Sequence, residues 1–222
     1  MTSDRLGRSA AAEAIGSALL LAAVVGSGIM AERLAAGNMA LALLANAIAT
    51  GGALVALIHT FGPISGGHLN PVVTLALLSR REIGVRPALA YVAAQVVGAI
   101  AGVWLAHVMF GLPIIQASTH ARATFGELVG EFVATFGLLG LILSCSCSAP
   151  RALPYAVAAY ITGAYWFTSS TSFANPAVTF ARSLTDTFAG IQSGHVGGFI
   201  AAQICGGAAA TLLFRWMMAD GR

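Results

Sequence analysis

The amino-acid sequence predicts an all-α membrane protein in which six transmembrane helices and two re-entrant half-helices form an inverted repeat of three spans per half. Three observations carry that reading. The 222-residue chain is 58% hydrophobic and 9% charged, with a mean hydropathy of +0.84, which is the composition of an integral membrane protein. Apolar runs long enough for the roughly 30 Å hydrocarbon core, which takes about 20 helical residues, recur six times. Two shorter runs, each opened by Asn-Pro, occupy corresponding places in the two halves.

The six long spans fall at about 10–31, 39–61, 87–109, 126–147, 152–170 and 196–218 by length and hydropathy. Arg5 and Arg8 precede the first, but further spans follow it, so it reads as a transmembrane helix and not as a cleaved signal. Asn70-Pro71-Val72 and Asn175-Pro176-Ala177 each follow a small, polar loop and begin an apolar run of about ten residues, at about 71–80 and 176–186. Asn is a strong N-cap, and Pro at the first helical position gives up an N–H that would be unpaired anyway. Runs this short cannot cross the membrane. A pair of interrupted segments, one in each half, points to a permeation site between inverted repeats.

The halves repeat, at about 10–109 and 126–218, and the whole chain 1–222 reads as a single channel domain. Glu13 in the first span answers Glu131 in the fourth, and Gln95 in the third answers Gln203 in the sixth, with the Asn-Pro starts between them in the same order. Three spans per copy is odd, so the second copy enters the membrane upside down. Six spans put both termini on one side. Placing them in the cytoplasm leaves eight Arg inside (Arg5, Arg8, Arg80, Arg81, Arg86, Arg151, Arg215, Arg222) against Arg33, Arg122 and Arg182 outside, as the positive-inside rule requires.

All 11 basic residues are Arg and the net charge is +3. Membrane orientation accounts for this charge, and no basic cluster is interleaved with aromatics as nucleic-acid binding would require. Three Cys, 145, 147 and 205, show no disulfide framework, and Cys145-Ser-Cys147 has no third ligand nearby for a metal. The histidines are scattered, with His59, His107, His120 and His195 expected at interfaces or in loops. No cofactor is implied, and no nucleophile motif marks an enzyme.

A lone carboxylate in an apolar span is a functional signal by default. Glu13 and Glu131 could relay protons in a coupled transporter or could anchor buried loop amides beside the half-helices. Their equivalent places in the repeat and the lack of further carboxylates favour anchoring, and Gln95 and Gln203 take the same structural reading. Gly98, Gly102, Gly206 and Gly207 are the small residues that let membrane helices approach closely.

With Ser65-Gly-Gly-His68-Leu-Asn70-Pro71-Val72-Val-Thr74 and Asn175-Pro176-Ala177 on inverted repeats, the chain resembles the aquaporins, the major intrinsic protein family. The resemblance spans about 10–218 and implies the family's fold: a right-handed bundle of six tilted helices with two half-helices meeting at mid-membrane, assembled as a homotetramer with a pore in each subunit. Val72 stands where the family usually has Ala. Each half-helix directs a partially positive end at the membrane centre. Each capping Asn keeps its amide N–H pair for the pore, an arrangement that favours neutral solutes and opposes cations.

The family's outer filter usually carries an Arg, an aromatic and a His. The matching positions here are Val178, Thr50 and Gly163, with Ser172 as the fourth, so the expected opening is wide and uncharged. Tyr165, Trp166 and Phe167 are expected to pack or sit at the membrane interface. His68 is expected to line the inner vestibule. Arg182, one helical turn beyond Val178, either reaches the outer vestibule or serves the loop, anchoring it or pairing with Asp186. These substitutions resemble the bacterial aquaglyceroporin branch associated with arsenic resistance. That resemblance implies a passive channel in the bacterial inner membrane for arsenite and antimonite, with organoarsenicals, glycerol and water as further solutes. A general water, glycerol or urea facilitator without an arsenic role is the alternative.

Overall fold

The computed structural model describes residues 2–122 and 124–218. Eight α-helices appear in order among them: α1 (Ser3–Leu34), α2 (Met39–Ser65), α3 (Pro71–Ser79), α4 (Val85–Phe110), α5 (Phe125–Ser148), α6 (Leu153–Phe167), α7 (Pro176–Arg182) and α8 (Ser193–Met217). The order is that of two three-span copies, each with a short helix between its second and third spans. α1, α2, α4, α5 and α8 are long and apolar enough to cross a membrane.

α6 is the short member, 15 residues or about 22 Å at the usual helical rise; a single 3-10 turn, Pro150–Ala152, precedes it. Its C-terminal end falls at Phe167, before the expected position near 170, because Thr168-Ser-Ser-Thr-Ser offers hydroxyls that compete for backbone partners. Thr168 Oγ1 donates to the Ala164 carbonyl, and the chain turns back there. α7 is also shorter than expected. After Arg182 the backbone leaves the helix, and Ile191 N–H bonds the Arg182 carbonyl.

Contacts follow the repeat. α1 packs on α2 and α4 as α5 packs on α6 and α8, and the two halves meet through α2 against α6, α4 against α7, and α3 against α8. The closest helix pairs are built on glycine. A methyl group added at Gly98 or Gly102 would run into the backbone carbonyls of Ala14 or Ala18 on α1, and one at Gly206 into the Phe132 carbonyl on α5. In lipid there is little hydrophobic drive between helices, so this close approach supplies the dispersion contact that holds them together.

The same logic explains Val72. Its Cγ1 occupies the space that a Cβ on Gly207 would need, so the larger residue on α3 is matched by the absence of a side chain on α8. Gly206 and Gly207 therefore do different work: one admits α5, the other admits α3.

Candidate functional site

Both short helices are capped by their own Asn. Asn70 Oδ1 accepts the Val72 N–H at 3.0 Å. Asn175 Oδ1 accepts the Ala177 and Val178 N–H groups at 3.0 and 3.3 Å. The amides are not wholly free for a pore, as the sequence suggested. Asn70 Nδ2 donates to the Ala174 carbonyl and Asn175 Nδ2 to the Leu69 carbonyl, each at 2.8 Å. One N–H of each Asn thus ties its loop to the opposite repeat, leaving one for a solute. The crosswise pair locks the two helix starts together at the centre of the molecule.

The loops before them share a backbone trace offset by 105 positions. Leu69 and Ala174, immediately before each Asn, adopt left-handed φ values of 49° and 48°, which non-glycine residues avoid at a cost of roughly 1–2 kcal/mol. The first loop reaches its other left-handed positions with Gly66 and Gly67, the second with Thr171 and Ser172. Such a backbone persists only when the surroundings fix it.

Glu13 and Glu131 supply that fixing. Glu13 is fully buried. It accepts the His68 and Leu69 N–H groups at 3.0 and 2.7 Å, the Ser65 hydroxyl at 2.6 Å and the Gln95 amide at 2.7 Å. Glu131, equally buried, accepts the Phe173 and Ala174 N–H groups at 2.8 and 2.9 Å and the Gln203 amide at 2.5 Å. Each Gln continues to a threonine of the short helix, Thr74 or Thr179, and each Thr hydroxyl donates to its Asn carbonyl. Carboxylate, amide and hydroxyl thus form one chain on each side. Full hydrogen bonding is what makes a buried carboxylate tolerable. Ser65 and Thr74 entered the sequence reading only as part of the first motif, and neither they nor Thr179 were given a partner; only the fold makes their partners neighbours.

A cavity of about 240 Å³ runs past both motifs. At one end it is lined by Glu82, Ser146 and Leu153, in the middle by His68, Asn70 and Asn175, and at the other end by Thr50, Ser172, Val178 and Arg182. His68 is held by its ring Nδ1 against Thr74 Oγ1 at 3.0 Å and edge-on to Tyr91 at 5.1 Å between centroids.

The structure revises the expected opening at two positions and shows where Arg182 sits. Gly163 is exposed and lies off the cavity wall. The lining face of α6 is Leu153, Val157, Ile161 and Tyr165, spaced four apart as one helical face demands, and Gly163 points about 200° away from Ile161 at the usual 100° per residue. Tyr165, expected among packing residues, is instead a wall residue whose hydroxyl lies 3.2 Å from Thr50 Oγ1. Trp166 and Phe167 are exposed on the outside, in keeping with an interface position. The opening is therefore neither free of aromatic groups nor free of charge.

Arg182, expected either in the outer vestibule or as a loop anchor, does both. It is 2% exposed, lines the cavity, donates from Nε to the Ala189 carbonyl and lies 3.4 Å from the centroid of the Phe173 ring. Asp186 is not its partner. That carboxylate accepts from the backbone N–H and hydroxyl of Thr119 at 2.8 and 2.9 Å, which holds its pKa below the ordinary carboxylate value.

Of the other histidines, His107 is fully buried and bridges Ile114 and Thr185, so it fastens α4 to the loop after α7. His120 and His195 lie in or next to that loop region. His59 sits edge-on to Tyr155, 5.0 Å between ring centroids. Among the described residues no group of His, Cys, Asp and Glu is placed to hold a metal ion, and all three cysteines are free thiols.

Five helices long and apolar enough to span a membrane, the shorter α6, two Asn-capped stubs tied crosswise, and a cavity running past both define an α-helical channel of the inverted-repeat type. The chain belongs to the major intrinsic protein family, whose model matches residues 1–165. It is 50% identical over 217 residues to the aquaglyceroporin AqpS of Rhizobium meliloti, covering 98% of this chain and 93% of that protein. It is 38% identical to human aquaporin-5 over 120 residues, 50% of this chain and 44% of that one. In fold it is similar to the aquaglyceroporin of Plasmodium falciparum, with a TM-score of 0.73 over 97% of this chain and 96% of that one at 16% identity.

Proposed function

We propose that this protein is a passive membrane channel for small uncharged, hydroxyl-bearing solutes, and that metalloid hydroxides (arsenite and antimonite) are among its main solutes, with methylated arsenicals, glycerol and water also admitted. The observation that carries the reading is the cavity in which Asn70 and Asn175 meet below Thr50 and Val178. Each Asn retains one amide N–H after capping and cross-tying. These donors suit a solute rich in lone pairs, and a desolvated cation gains nothing from them.

Val178 supports solutes bulkier than water. An Arg there would contribute a long, charged side chain, whereas Val leaves an aliphatic wall against which a methyl or a polyol backbone can lie. At neutral pH arsenous acid is an uncharged hydroxide of glycerol-like size, and the 50% identity to AqpS supports extending the proposal to metalloids. Glu13 and Glu131 belong to closed hydrogen-bond sets around the loops, which supports a pore in preference to a proton-coupled carrier.

The proposed assembly is a homotetramer in the bacterial inner membrane, with both termini in the cytoplasm and one pore per subunit. Arsenite and antimonite flux into proteoliposomes, measured beside protein-free liposomes, tests the metalloid assignment. Flux well above the protein-free control is expected for both. Glycerol flux without metalloid flux would leave the general facilitator as the better description.

A further inference from the structure

Arg182, fully buried, and Arg122, half-buried, stand out among the charged groups of this molecule. Both guanidinium groups approach the same ring, Phe173, at 5.2 and 3.4 Å from its centroid. Neither is in an ion pair among the described residues; the ion pairs found there are Arg8 with Asp4, Arg80 with Glu82, and His120 with Asp186. Their partners are carbonyls: Gly190 and Ser170 for Arg122, Ala189 for Arg182. Of the two carboxylates near them, Glu131 is occupied by the Phe173 and Ala174 amides and Gln203, and Glu127, which faces Arg122, by the N–H and hydroxyl of Thr124. Carbonyl partners orient a guanidinium but do not cancel its charge, and buried charges are ordinarily paired.

A second observation lies beside them. Ser172 is 3% exposed, lines the same stretch of cavity as Arg182, and its hydroxyl has no hydrogen-bond partner. A buried hydroxyl without a partner costs about 1–3 kcal/mol. A neutral solute passing through would use the hydroxyl but would leave the buried Arg182 charge without a counter-charge. A small oxyanion satisfies both, taking the planar guanidinium and the hydroxyl at once.

We propose that the Arg182 end of the pore holds a low-affinity site for a small oxyanion, formed by the Arg182 guanidinium and the Ser172 hydroxyl, with Arg122 contributing charge from behind Phe173. The site shares the opening through which, on the function proposed above, neutral solutes pass, so an oxyanion seated there obstructs them. It also makes Arg182 a residue that sets which solutes enter.

Inorganic phosphate at neutral pH is the probe. Glycerol efflux from proteoliposomes carrying the full-length protein is measured in phosphate and in potassium chloride of equal ionic strength. At ~50 mM phosphate, far above a dissociation constant of ~1 mM, wild-type flux should fall at least about twofold. Read as the ratio of flux in phosphate to flux in chloride for each variant, Ser172→Ala should weaken the inhibition and Arg182→Met should abolish it. Equal wild-type flux in phosphate and chloride overturns the site without reference to any variant. The thermal midpoint of the detergent-solubilised protein gives an independent reading. Phosphate should raise it in the wild type and raise it less in Ser172→Ala, even if glycerol proves not to permeate. No phosphate-specific rise would overturn the site, whereas absent glycerol flux would overturn only the transport function.

Discussion

At the residue scale, a carboxylate has been placed where water cannot reach. Glu131 is fully buried and takes two loop N–H groups and an amide, and it stands behind Ala174, whose left-handed φ of 48° would otherwise be disfavoured. Glu131→Gln keeps the volume but turns one acceptor oxygen into a donor facing other donors. Thermal unfolding in detergent should show a loss of about 1–3 kcal/mol, the cost of orphaning a buried donor. An unchanged midpoint would mean the loop holds its shape without the carboxylate. The caps at Asn70 and Asn175 were legible because capping is local: cap, Pro and helix start are consecutive. The pairing of each Asn with the opposite loop was not, since it joins residues more than a hundred positions apart. Gly163 shows a different limit. Counting from a motif across a loop leaves helix rotation free, and an error of one position turns a side chain by about 100°.

At the element scale, the two short helices are alike in capping but not in packing. α3 presents Val72 to a glycine of α8, and the fit leaves no room for a methyl group on Gly207. Gly207→Ala should therefore destabilise the protein by about 1–3 kcal/mol through overpacking. Val72→Ala opens that space, so the double variant should recover most of the loss, and a double-mutant cycle of thermal midpoints measures the coupling. Simple additivity would separate the two residues. The sequence showed Val72 as larger than the family's usual residue and Gly207 as small, but nothing in their spacing announced that they meet. The six spans and two stubs were readable from hydropathy and Asn-Pro. The early ends of α6 and α7 were not, because hydroxyl and loop contacts set them.

At the scale of the whole molecule, the repeat places the two anchoring carboxylates and the two Asn caps around a single cavity. Its opening differs from the bare one that the sequence suggested. Tyr165 and Arg182 lie on the wall with Thr50, Ser172 and Val178, so the opening is polar on one side and aliphatic on the other. Val178→Arg would add a second guanidinium one turn from Arg182. Stopped-flow light scattering should show glycerol flux cut roughly tenfold, which takes only ~1.4 kcal/mol of added barrier, with water flux much less affected. Undiminished glycerol flux in a well-expressed variant would place the narrow point elsewhere.

The central claim is that two crosswise-tied Asn-capped helix starts form the polar waist of a passive pore. Glycerol flux into proteoliposomes of the wild-type protein, with and without an imposed pH gradient, tests it most directly. Flux should exceed that of protein-free liposomes, run only down the glycerol gradient, and be the same under both conditions. Uptake that appears only with the pH gradient, or flux no greater than that of bare lipid, would contradict the account.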